Sequence, residues 1–388
     1  MLQKKPLSYL EISKKNLIYN FKQFKGYLRK GTLVSAVIKS NAYGHGDIEV
    51  VKVLSPFVDY FQVNSFEELK KIKNTTNKPI LVFGYVGISD MEDAIRLGCI
   101  LSVFDSEHLS LINKIAQNLN KKQKVHIVVD SFLGREGIMP ETVEVFIKNL
   151  LKMKNIIVDG IYSHFANIED TSDFSYGKKQ VDIYENIINV FEKYGFSDFK
   201  KHISATSGVM VYEKNYGNNK IVRIGIGLYG LWPSKYLEKK LGNKYRDLDK
   251  STGKISLKPV LSWKTHIAQV KVLPMGYFIG YGLTYKTNKE MKVAVIPQGY
   301  ADGFSRELSN KGNALIGGTR CSVLGRVAMN MFVVDVSHLN KVKAGDEVVI
   351  LGQQKKENIS IEEMSEKLNT INYEIVARIN PLLPRIIV

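Results

Sequence analysis

The sequence predicts an α/β protein built as a (β/α)8 TIM-type barrel followed by a mainly-β C-terminal domain. Eight short apolar runs alternate with helical patterns between residues 34 and 226, and short runs set off by Gly, Pro, Asn and Asp follow residue 260. A chain of 388 residues also exceeds what one hydrophobic core usually serves. We therefore expect two domains, a barrel at 12–245 and a β-rich domain at 246–388 joined by an N-terminal strand at 1–11.

The eight apolar runs have the length and composition of buried parallel strands. Strands that alternate with helices form right-handed β-α-β units, and eight such units favour closure into a barrel. In such barrels the chemistry lies at the carboxyl ends of the strands. The predicted strands are 34–38, 60–63, 80–83, 100–104, 125–129, 158–162, 202–205 and 222–226.

Local signals predict where several helices begin and end. Ser65 with Glu68, and Ser89 with Glu92, have capping-box spacing shortly after predicted strands. Gly98 can end the second of these helices in a left-handed turn. We interpret these residues as structural.

The segments outside the barrel strands follow different patterns. Residues 8–12 alternate like a half-buried strand, and residues 13–30 have a helical pattern. Residues 232–258 are polar and lysine-rich, which predicts a helix plus a linker at the end of the barrel. The runs typical of an all-β domain are 260–273, 293–297, 314–316, 321–324, 332–336 and 347–351, with a short helix at 360–368 and a last strand at 386–388.

The chain is strongly basic, with 55 Lys and Arg residues against 38 Asp and Glu residues and a net charge of +17. Basic proteins gain affinity for nucleic acid by neutralising phosphates. Here the lysines are spread over most predicted helices and loops, with concentrations only at 114–124 and 235–258, and no nucleic-acid module accompanies them. We expect no nucleic-acid binding, although a basic surface can attract anionic small molecules.

Cysteine usage and apolar run lengths indicate a cytoplasmic protein. Cys99 and Cys321 stand far apart without paired spacing, which fits a reducing compartment and predicts no metal site. No apolar run approaches the roughly 18 residues needed to span a bilayer. The segment Met1-Leu-Gln-Lys-Lys-Pro6 lacks the apolar region of a signal peptide. We therefore expect no membrane association.

One lysine stands where lysines are rare. Lys39 closes the apolar run 33–38 and is followed by Asn41, Tyr43, Gly44 and Gly46. A strand-end lysine can snorkel its charge to the surface. Alternatively, a desolvated amine has a lowered pKa and can form a Schiff base with an aldehyde. The polar side chains and glycines that follow favour the second interpretation, because they let the backbone approach a ligand.

A second motif, Gly225-Ile-Gly-Leu-Tyr-Gly230, fits the G-x-G-x-x-G pattern of dinucleotide-binding folds. It comes at the eighth predicted strand rather than the first, so we do not interpret it as a dinucleotide site. Backbone N–H groups after strands seven and eight are where barrels often hold phosphate. Ser207, after the seventh predicted strand, would add a hydroxyl to such a site.

These motifs, and further segments in the same order from residue 36 to residue 385, resemble the alanine racemases. The resemblance implies a homodimer with shared active sites, a barrel plus a β domain in each subunit, and pyridoxal 5'-phosphate bound to Lys39. It also implies production of D-alanine for bacterial cell-wall peptidoglycan. The residues that it assigns to the cofactor phosphate are Tyr43, Ser207, Gly225, Ile226 and Tyr373.

The resemblance places two further residues at the cofactor ring. Arg223 matches the arginine that faces the pyridine nitrogen, where an arginine that keeps its proton leaves the ring nitrogen unprotonated and favours racemisation. His164 matches the histidine that packs near the ring. The alternatives are a surface arginine at a strand end and a hydrogen-bonded core histidine.

Racemisation needs a proton removed from one face and delivered to the other. Lys39 can serve one face, and Tyr281 in Gly280-Tyr-Gly-Leu-Thr-Tyr285 resembles the tyrosine that the partner subunit contributes to the other. Its flanking glycines predict an accessible hydroxyl. The resemblance assigns Arg135, Met329 and Tyr300 to substrate binding and Arg306 and Ile371 to the substrate entrance.

The chain departs from the family pattern around Arg135. Val128 stands where many members have a carbamylated lysine, 130–133 reads Asp-Ser-Phe-Leu, and Asn330 replaces a usual aspartate. Lost negative charge predicts a guanidinium that is freer to move, with changed carboxylate affinity or substrate range.

The sequence thus predicts a racemase that uses pyridoxal phosphate, with alanine as its substrate. A racemase of broader range is the alternative that the departures around Arg135 raise. A decarboxylase on a related barrel is a further alternative, for which we find no residue set. A non-catalytic pyridoxal-phosphate binding protein would keep Lys39 but would not need the domain that carries Tyr281.

Overall fold

The computed structural model describes residues 6–213, 217–242 and 254–388. The chain divides into two compact units. The described parts of Asn16–Ala42 and Val50–Lys258 form the barrel unit, and those of Met1–Lys15, Tyr43–Glu49 and Pro259–Val388 form the β unit. Residues 1–5 of the predicted N-terminal strand, and residues 243–253 of the predicted lysine-rich linker, lie outside the described residues.

Nine strands belong to the first part of the chain. Strand β1 (Tyr9–Ile12) belongs to the β unit. The next eight strands form one parallel sheet in the order β8-β7-β6-β5-β4-β3-β2-β9. They are β2 (Leu33–Val37), β3 (Tyr60–Val63), β4 (Ile80–Val82), β5 (Ile100–Val103), β6 (Gln123–Val128), β7 (Ile156–Tyr162), β8 (Lys200–His202) and β9 (Ile221–Ile224).

The two end strands of this sheet approach each other. The Lys220 N–H donates to the Lys201 carbonyl at 3.0 Å, and the Arg223 N–H donates to the Ser204 carbonyl at 3.0 Å. These bonds bring β8 beside β9, so the sheet closes nearly completely. The predicted eight-stranded barrel is confirmed, and each predicted strand overlaps an observed one.

Helices connect successive barrel strands. The capping box of Ser65 and Glu68 is confirmed at the start of Phe66–Lys73, and Gly98 has the expected positive φ of 68°. The predicted box at Ser89 is wrong: that helix begins at Ile88, so Ser89 lies inside its first turn. The described helices of this unit with seven or more residues are Lys14–Tyr27 and Asp47–Leu54, which both begin in the β unit, and Phe66–Lys73, Ile88–Arg96, Ser106–Asn118, Val143–Leu150, Ser175–Lys193 and Lys235–Leu241.

The β unit is built on one mainly antiparallel ten-stranded sheet. Strand β1 pairs antiparallel with β10 (Leu261–His266) and parallel with β18 (Arg385–Ile387). The predicted mainly-β character is confirmed, while the helix Asn372–Ala377 and strand β17 were not expected. The remaining strands are β11 (Gln269–Leu273), β12 (Met291–Ile296), β13 (Asn313–Ile316), β14 (Thr319–Leu324), β15 (Phe332–Asp335), β16 (Glu347–Gln354) and β17 (Glu357–Ile359).

Aromatic side chains fill the core of the β unit. Trp263, Phe304 and Phe332 are fully buried. The rings of Phe304 and Phe332 stack with their centres 4.3 Å apart. The predicted short helix is observed at Ile361–Lys367. Across the described ranges, we find no helix with the length and apolar character required to cross a membrane.

Candidate active site

Lys39 follows β2 on its carboxyl side, the edge at which barrel chemistry is usually found. The four residues after it, Ser40, Asn41, Ala42 and Tyr43, have φ values between 52° and 54°. Each L-residue in this left-handed conformation costs roughly 1–2 kcal/mol. Strain of this kind concentrates at functional sites and persists only where surrounding contacts hold it. The Lys39 segment is therefore a left-handed turn that needs external support.

The Lys39 side chain is half-buried. Burial lowers the pKa of its amine, and the guanidinium groups of Arg135 and Arg223 lower it further, while the carboxylates of Glu68 and Glu136 act in the opposite direction. No described residue forms a hydrogen bond or ion pair with its Nζ. A neutral amine is a nucleophile for carbonyl carbons. The environment therefore favours the desolvated-amine interpretation over the snorkelled one.

Arg223 lies in β9 and is buried. Its Nη2 donates hydrogen bonds to the carbonyl oxygens of Ser163 at 2.7 Å and Ile203 at 2.8 Å. The guanidinium carbon lies 5.0 Å from the centre of the Tyr162 ring. Burial lowers the pKa of Arg223 to about 10, so the group still carries its proton at neutral pH. The surface-arginine alternative is wrong.

His164 lies directly after β7 and contacts this arginine. Its Nδ1 accepts a hydrogen bond from Arg223 Nη2 at 3.2 Å. Burial, followed by the charges of Arg223, Arg135 and Lys39, lowers the pKa of His164 to about 3. The imidazole is therefore neutral at physiological pH and can accept at one nitrogen. The hydrogen bond with Arg223 also agrees with the alternative interpretation, in which His164 is a hydrogen-bonded core histidine.

A buried polar network below this arginine was not expected from the sequence. The Tyr162 ring stacks on the His202 ring with centres 4.7 Å apart. His202 Nε2 lies 2.8 Å from His126 Nδ1, and His126 Nε2 lies 3.1 Å from Asp159 Oδ2. Burial alone would raise the pKa of Asp159, but hydrogen bonds from His126 and Lys200 hold it well below its usual range. The only sequence signal was a histidine inside each of two apolar runs.

The predicted phosphate-binding residues of the barrel lie on two connected loops. Ser207 lies in a single helical turn after β8, and Ile226 opens a short 3-10 helix after β9. Thr206 Oγ1 accepts a hydrogen bond from the Gly225 N–H at 3.1 Å, which ties the loops together. The first N–H groups of a helix have no acceptor within that helix. The two loops can therefore donate to an anion.

A carboxylate already uses the hydroxyl in this cluster. Ser207 Oγ donates a hydrogen bond of 2.6 Å to Glu169 Oε2. Burial raises the pKa of Glu169. The sequence carried no spacing signal for this contact, since Glu169 lies 38 residues from Ser207. An acidic group thus competes for a donor that we expected to serve phosphate.

Arg135 lies in a loop that Asp130 organises. The Asp130 carboxylate accepts hydrogen bonds from the backbone N–H groups of Leu133 at 2.7 Å and Gly134 at 3.0 Å. Arg135 Nε donates to Glu136 Oε2 at 2.6 Å. The expectation of a freer guanidinium is therefore wrong, because the adjacent Glu136 supplies an anion beside Arg135.

Tyr43 and Tyr373 lie together in the β unit. Their ring centres are 6.1 Å apart with an interplanar angle of 54°. The neighbouring Gly44 packs so closely that a Cβ there would lie 1.8 Å from the Val376 carbonyl oxygen. Arg385 Nη2 donates to the Gly44 carbonyl at 2.9 Å. Burial raises the pKa of Tyr43, so its hydroxyl keeps its proton as a donor.

Two predicted substrate-binding segments of the β unit interlock. The Tyr300 N–H donates to the Ala328 carbonyl at 3.1 Å, and the Ala301 N–H donates to the Met329 carbonyl at 2.9 Å. The Tyr300 and Met329 side chains are 43% and 55% exposed. The two predicted entrance residues of this unit, Arg306 and Ile371, are also exposed.

Tyr281 lies on a glycine-rich loop of the β unit. Its side chain is 74% exposed, as its flanking glycines predict. Gly280 and Gly282 have φ values of 77° and 71°. A Cβ on Gly282 would lie 2.8 Å from the Arg326 guanidinium carbon. Exposed apolar side chains follow the same stretch of chain: Met275, Tyr277, Phe278 and Leu283.

Comparison with known proteins decides the family. Residues 12–233 match the family model "Alanine racemase, N-terminal domain", and residues 260–387 match "Alanine racemase, C-terminal domain". The chain belongs to the alanine racemase family. It is 37% identical to the alanine racemase of Methanococcus maripaludis over 381 residues, which cover 97% of this chain and 98% of that protein.

Solved structures of alanine racemases share the fold. The enzyme of Clostridium difficile 630 has a TM-score of 0.89 and 31% identity, with 100% of this chain and 97% of that chain covered. The alanine racemase of Bartonella henselae, solved with covalently bound pyridoxal phosphate, has a TM-score of 0.83 and 25% identity. This comparison covers 99% of this chain and 100% of that one. The chain is therefore an enzyme of the isomerase class.

The predicted residues fall into two groups, one in each unit; Tyr43 belongs to the β unit although it lies within the segment 12–233 that matches the N-terminal domain model. In the barrel unit, Arg223 donates a hydrogen bond to His164, and the charges of Arg223 and Lys39 both lower the pKa of His164. In the β unit, Tyr43 lies against Tyr373. The predicted residues in the barrel unit are Lys39, Arg135, His164, Ser207, Arg223, Gly225 and Ile226. Those in the β unit are Tyr43, Tyr281, Tyr300, Arg306, Met329, Ile371 and Tyr373.

Proposed function

We propose that the protein interconverts L-alanine and D-alanine with pyridoxal 5'-phosphate held by Lys39. The observation that carries the proposal is the half-buried Lys39 amine at a barrel strand end, whose pKa is lowered by burial and by two arginines. Membership of the alanine racemase family supports the same activity. The covalently bound cofactor of the Bartonella relative supports the cofactor.

The donor set of the barrel unit fits this cofactor. The Lys39 amine suits an aldehyde carbon, the buried Arg223 guanidinium suits a ring nitrogen, and the Ser207 hydroxyl suits a phosphate oxygen. The Ile226 N–H would add a donor to the phosphate site. Gly225 would shape that site by backbone position, because its own N–H already donates to Thr206 Oγ1. We assign Tyr43 and Tyr373 to the same group. When bound, pyridoxal phosphate stabilises negative charge that develops at the substrate Cα.

Arg223 would keep its own proton when it lies beside the ring nitrogen of the cofactor. Its guanidinium is protonated at neutral pH, even though burial lowers its pKa to about 10. The two N–H groups of its Nη2, shared among the carbonyl oxygens of Ser163 and Ile203 and the Nδ1 of His164, fix its orientation. Arg223 would therefore donate a hydrogen bond to a ring nitrogen and keep its own proton. A cofactor held in this way would be a weaker electron sink, which would favour return of a proton to Cα over transamination.

Proton exchange at Cα requires one group on each face. Lys39 Nζ would take or return the proton on one face, since its lowered pKa leaves a neutral fraction to act as base. We assign the other face to the hydroxyl of Tyr281 of the partner subunit. The 74% exposure of this side chain and the apolar residues around it support a surface that a second copy of the chain covers. The active unit is therefore a homodimer with shared active sites.

The remaining residues would bind and admit the substrate. We assign Arg135, the Met329 backbone and Tyr300 to the substrate, with Arg135 binding its carboxylate or the cofactor phenolate. Arg306 and Ile371 would form the entrance. We also propose that the enzyme is cytoplasmic, that its domains correspond to 12–245 and 246–388, and that its D-alanine serves cell-wall peptidoglycan. Growth of a strain that requires D-alanine would test this last role.

Conversion of L-alanine to D-alanine by the purified protein with pyridoxal phosphate tests the proposed activity. L-serine, L-lysine and L-arginine are run beside it. A clear preference for alanine would support the proposal. A bound cofactor without racemisation of any of these amino acids would instead indicate a non-catalytic pyridoxal-phosphate binding protein.

A racemase of broader range is the second candidate. The observation that favours it is the ion pair of Arg135 with Glu136, because a guanidinium held by another carboxylate selects less strongly for one substrate carboxylate geometry. Comparable rates on the larger amino acids would support this candidate.

A further inference from the structure

Glu68 links a helix start to the turn that follows Lys39. Its Oε2 accepts hydrogen bonds from the N–H groups of Asn64 at 2.6 Å and Ser65 at 3.4 Å, which is one half of the capping box. The other half is the bond from the Glu68 N–H to Ser65 Oγ. Its Oε1 accepts a hydrogen bond of 2.6 Å from the Ser40 N–H. A single carboxylate therefore serves two segments that are 28 residues apart.

The turn needs such a contact. Ser40 is the first of four consecutive residues with φ above 50°, and none of the four is a glycine. A left-handed conformation at L-residues is unfavourable by itself, so the surrounding structure must hold it. Ser40 is exposed, and its N–H reaches the Glu68 carboxylate rather than a backbone carbonyl. Charge-assisted hydrogen bonds of this kind are about twice as strong as neutral ones.

We propose that Glu68 is a positioning residue for Lys39: its carboxylate fixes the first N–H of the left-handed turn and thereby holds the lysine at the barrel edge. Its negative charge also offsets the positive charges near the amine. This inference rests on the proposed function for its significance, because a fixed lysine matters only if Lys39 acts on a ligand. The contact itself does not depend on that function.

Glu68 is one of several groups that act on the Lys39 amine. Burial and two arginines lower the pKa of Lys39, whereas the carboxylate of Glu68 raises it. Removal of this charge alone should therefore lower the pKa further. The charged and titratable groups that face Lys39 are Glu68, Arg135, Glu136, His164 and Arg223.

The test compares both halves of the capping box. Glu68→Gln removes the charge on the group that reaches Ser40, whereas Ser65→Ala weakens the same helix start without touching Ser40. Glu67→Gln is the charge control, because Glu67 precedes Glu68, is exposed, and pairs with Lys70 at 2.7 Å. The pH dependence of Lys39 acetylation by acetic anhydride is measured by mass spectrometry on each full chain, freed of bound pyridoxal phosphate with hydroxylamine.

We expect the midpoint of Lys39 labelling to move to lower pH in Glu68→Gln and to stay at the parent value in Ser65→Ala and Glu67→Gln. A midpoint that is unchanged or raised in Glu68→Gln, or shifted equally in Ser65→Ala, would overturn the proposal and leave Glu68 as a helix cap only. Labelling needs neither cofactor nor turnover. A parent chain that fails to racemise alanine would therefore reject the proposed function without deciding this result.

Should Glu68→Gln fail to fold, the unaltered chain provides the second measurement. Hydrogen–deuterium exchange at the exposed Ser40 amide reports whether its N–H is bonded. Exchange that is slower than the exchange of a free amide supports the hydrogen bond from the Ser40 N–H to Glu68. Exchange at the rate of a free amide overturns it.

Discussion

Two segments of the chain differ in how far they are buried and held by residues of their own unit. One carries Lys39, and the other carries Tyr281. Lys39 is half-buried, its pKa is lowered by burial and by arginines of its own unit, and its turn is held by Glu68. Tyr281 has a 74% exposed side chain on a loop shaped by two glycines. The surroundings of Lys39 thus come from its own unit, whereas the Tyr281 hydroxyl is accessible to a second molecule.

This difference separates two requirements of the proposed reaction. Bond formation between Lys39 and the cofactor should need only residues of its own subunit, because the amine and its charged neighbours are already in place. Proton transfer at the second face should need a second subunit, because no residue within 6–213, 217–242 or 254–388 forms a hydrogen bond that orients the Tyr281 hydroxyl. Variants that separate cofactor binding from turnover can therefore test whether Lys39 and Tyr281 differ in this way.

Replacement of Lys39 should have the largest effect. We expect Lys39→Ala to lose both the visible absorbance of the lysine-bound cofactor and racemisation, the latter by about 10³-fold or more, since positioned acid–base groups alone contribute about 10²–10⁴. Absorption spectra and L-alanine conversion measure the two effects. Lys52→Ala, at an exposed helix position, is the control. An unchanged spectrum in Lys39→Ala would remove this lysine from the mechanism.

Replacement of Tyr281 should affect turnover alone. Tyr281→Phe removes one hydroxyl, so we expect racemisation to fall by about 10²–10⁴-fold with the cofactor absorbance retained. Tyr277→Phe, four residues earlier and 53% exposed, is the matched control. Full activity in Tyr281→Phe would show that the second face is served by another group.

Much of this comparison could be predicted from the sequence because the relevant signals are local. Apolar runs in the sequence predicted the barrel strands, and the glycines around Tyr281 predicted that its side chain is exposed. The left-handed turn could not be predicted, because Ser40, Ala42 and Tyr43 are residues whose own preference is against positive φ. Its support by Glu68 also joins distant segments, and no spacing in the sequence encodes such a contact.

Charges near the site were missed for a related reason. Val128 and Asn330 stand where the family motifs have anionic groups, whereas the contact between Glu136 and Arg135 is visible only in the folded chain. Likewise, the hydrogen bond between Ser207 and Glu169 depends on where two loops meet after folding. Motif matching predicts the residues that a family shares, whereas the side chains that contact them require the structure.

Glu169 offers a smaller test on the phosphate side of the barrel unit. We expect Glu169→Gln to bind pyridoxal phosphate more tightly, by up to about tenfold or about 1.4 kcal/mol, because a neutral amide no longer repels the phosphate at Ser207. Asp170→Asn, the adjacent exposed carboxylate, is the control. Cofactor titration measures the dissociation constant. Weaker binding in Glu169→Gln would mean that the carboxylate supports the phosphate site.

The smallest effect should come from Glu136. Exposed ion pairs are worth about 0.2–1 kcal/mol, so release of Arg135 in Glu136→Gln should lower KM for L-alanine by no more than about fivefold. Glu141→Gln, exposed on the same stretch of chain, controls for the change in charge. Steady-state kinetics measure KM and kcat separately. A raised KM would indicate that Glu136 helps Arg135 bind the carboxylate.

Subunit mixing tests the contrast between the two residues most directly. Lys39→Ala and Tyr281→Phe chains are each inactive by this account, but a mixed dimer would hold one site with both an intact lysine and an intact tyrosine. After demonstrated exchange of equal amounts, we expect about a quarter of the parent activity, since about half of the dimers are mixed and each has one complete site. No recovery after exchange would contradict a shared site and place both proton-transfer groups in a single subunit.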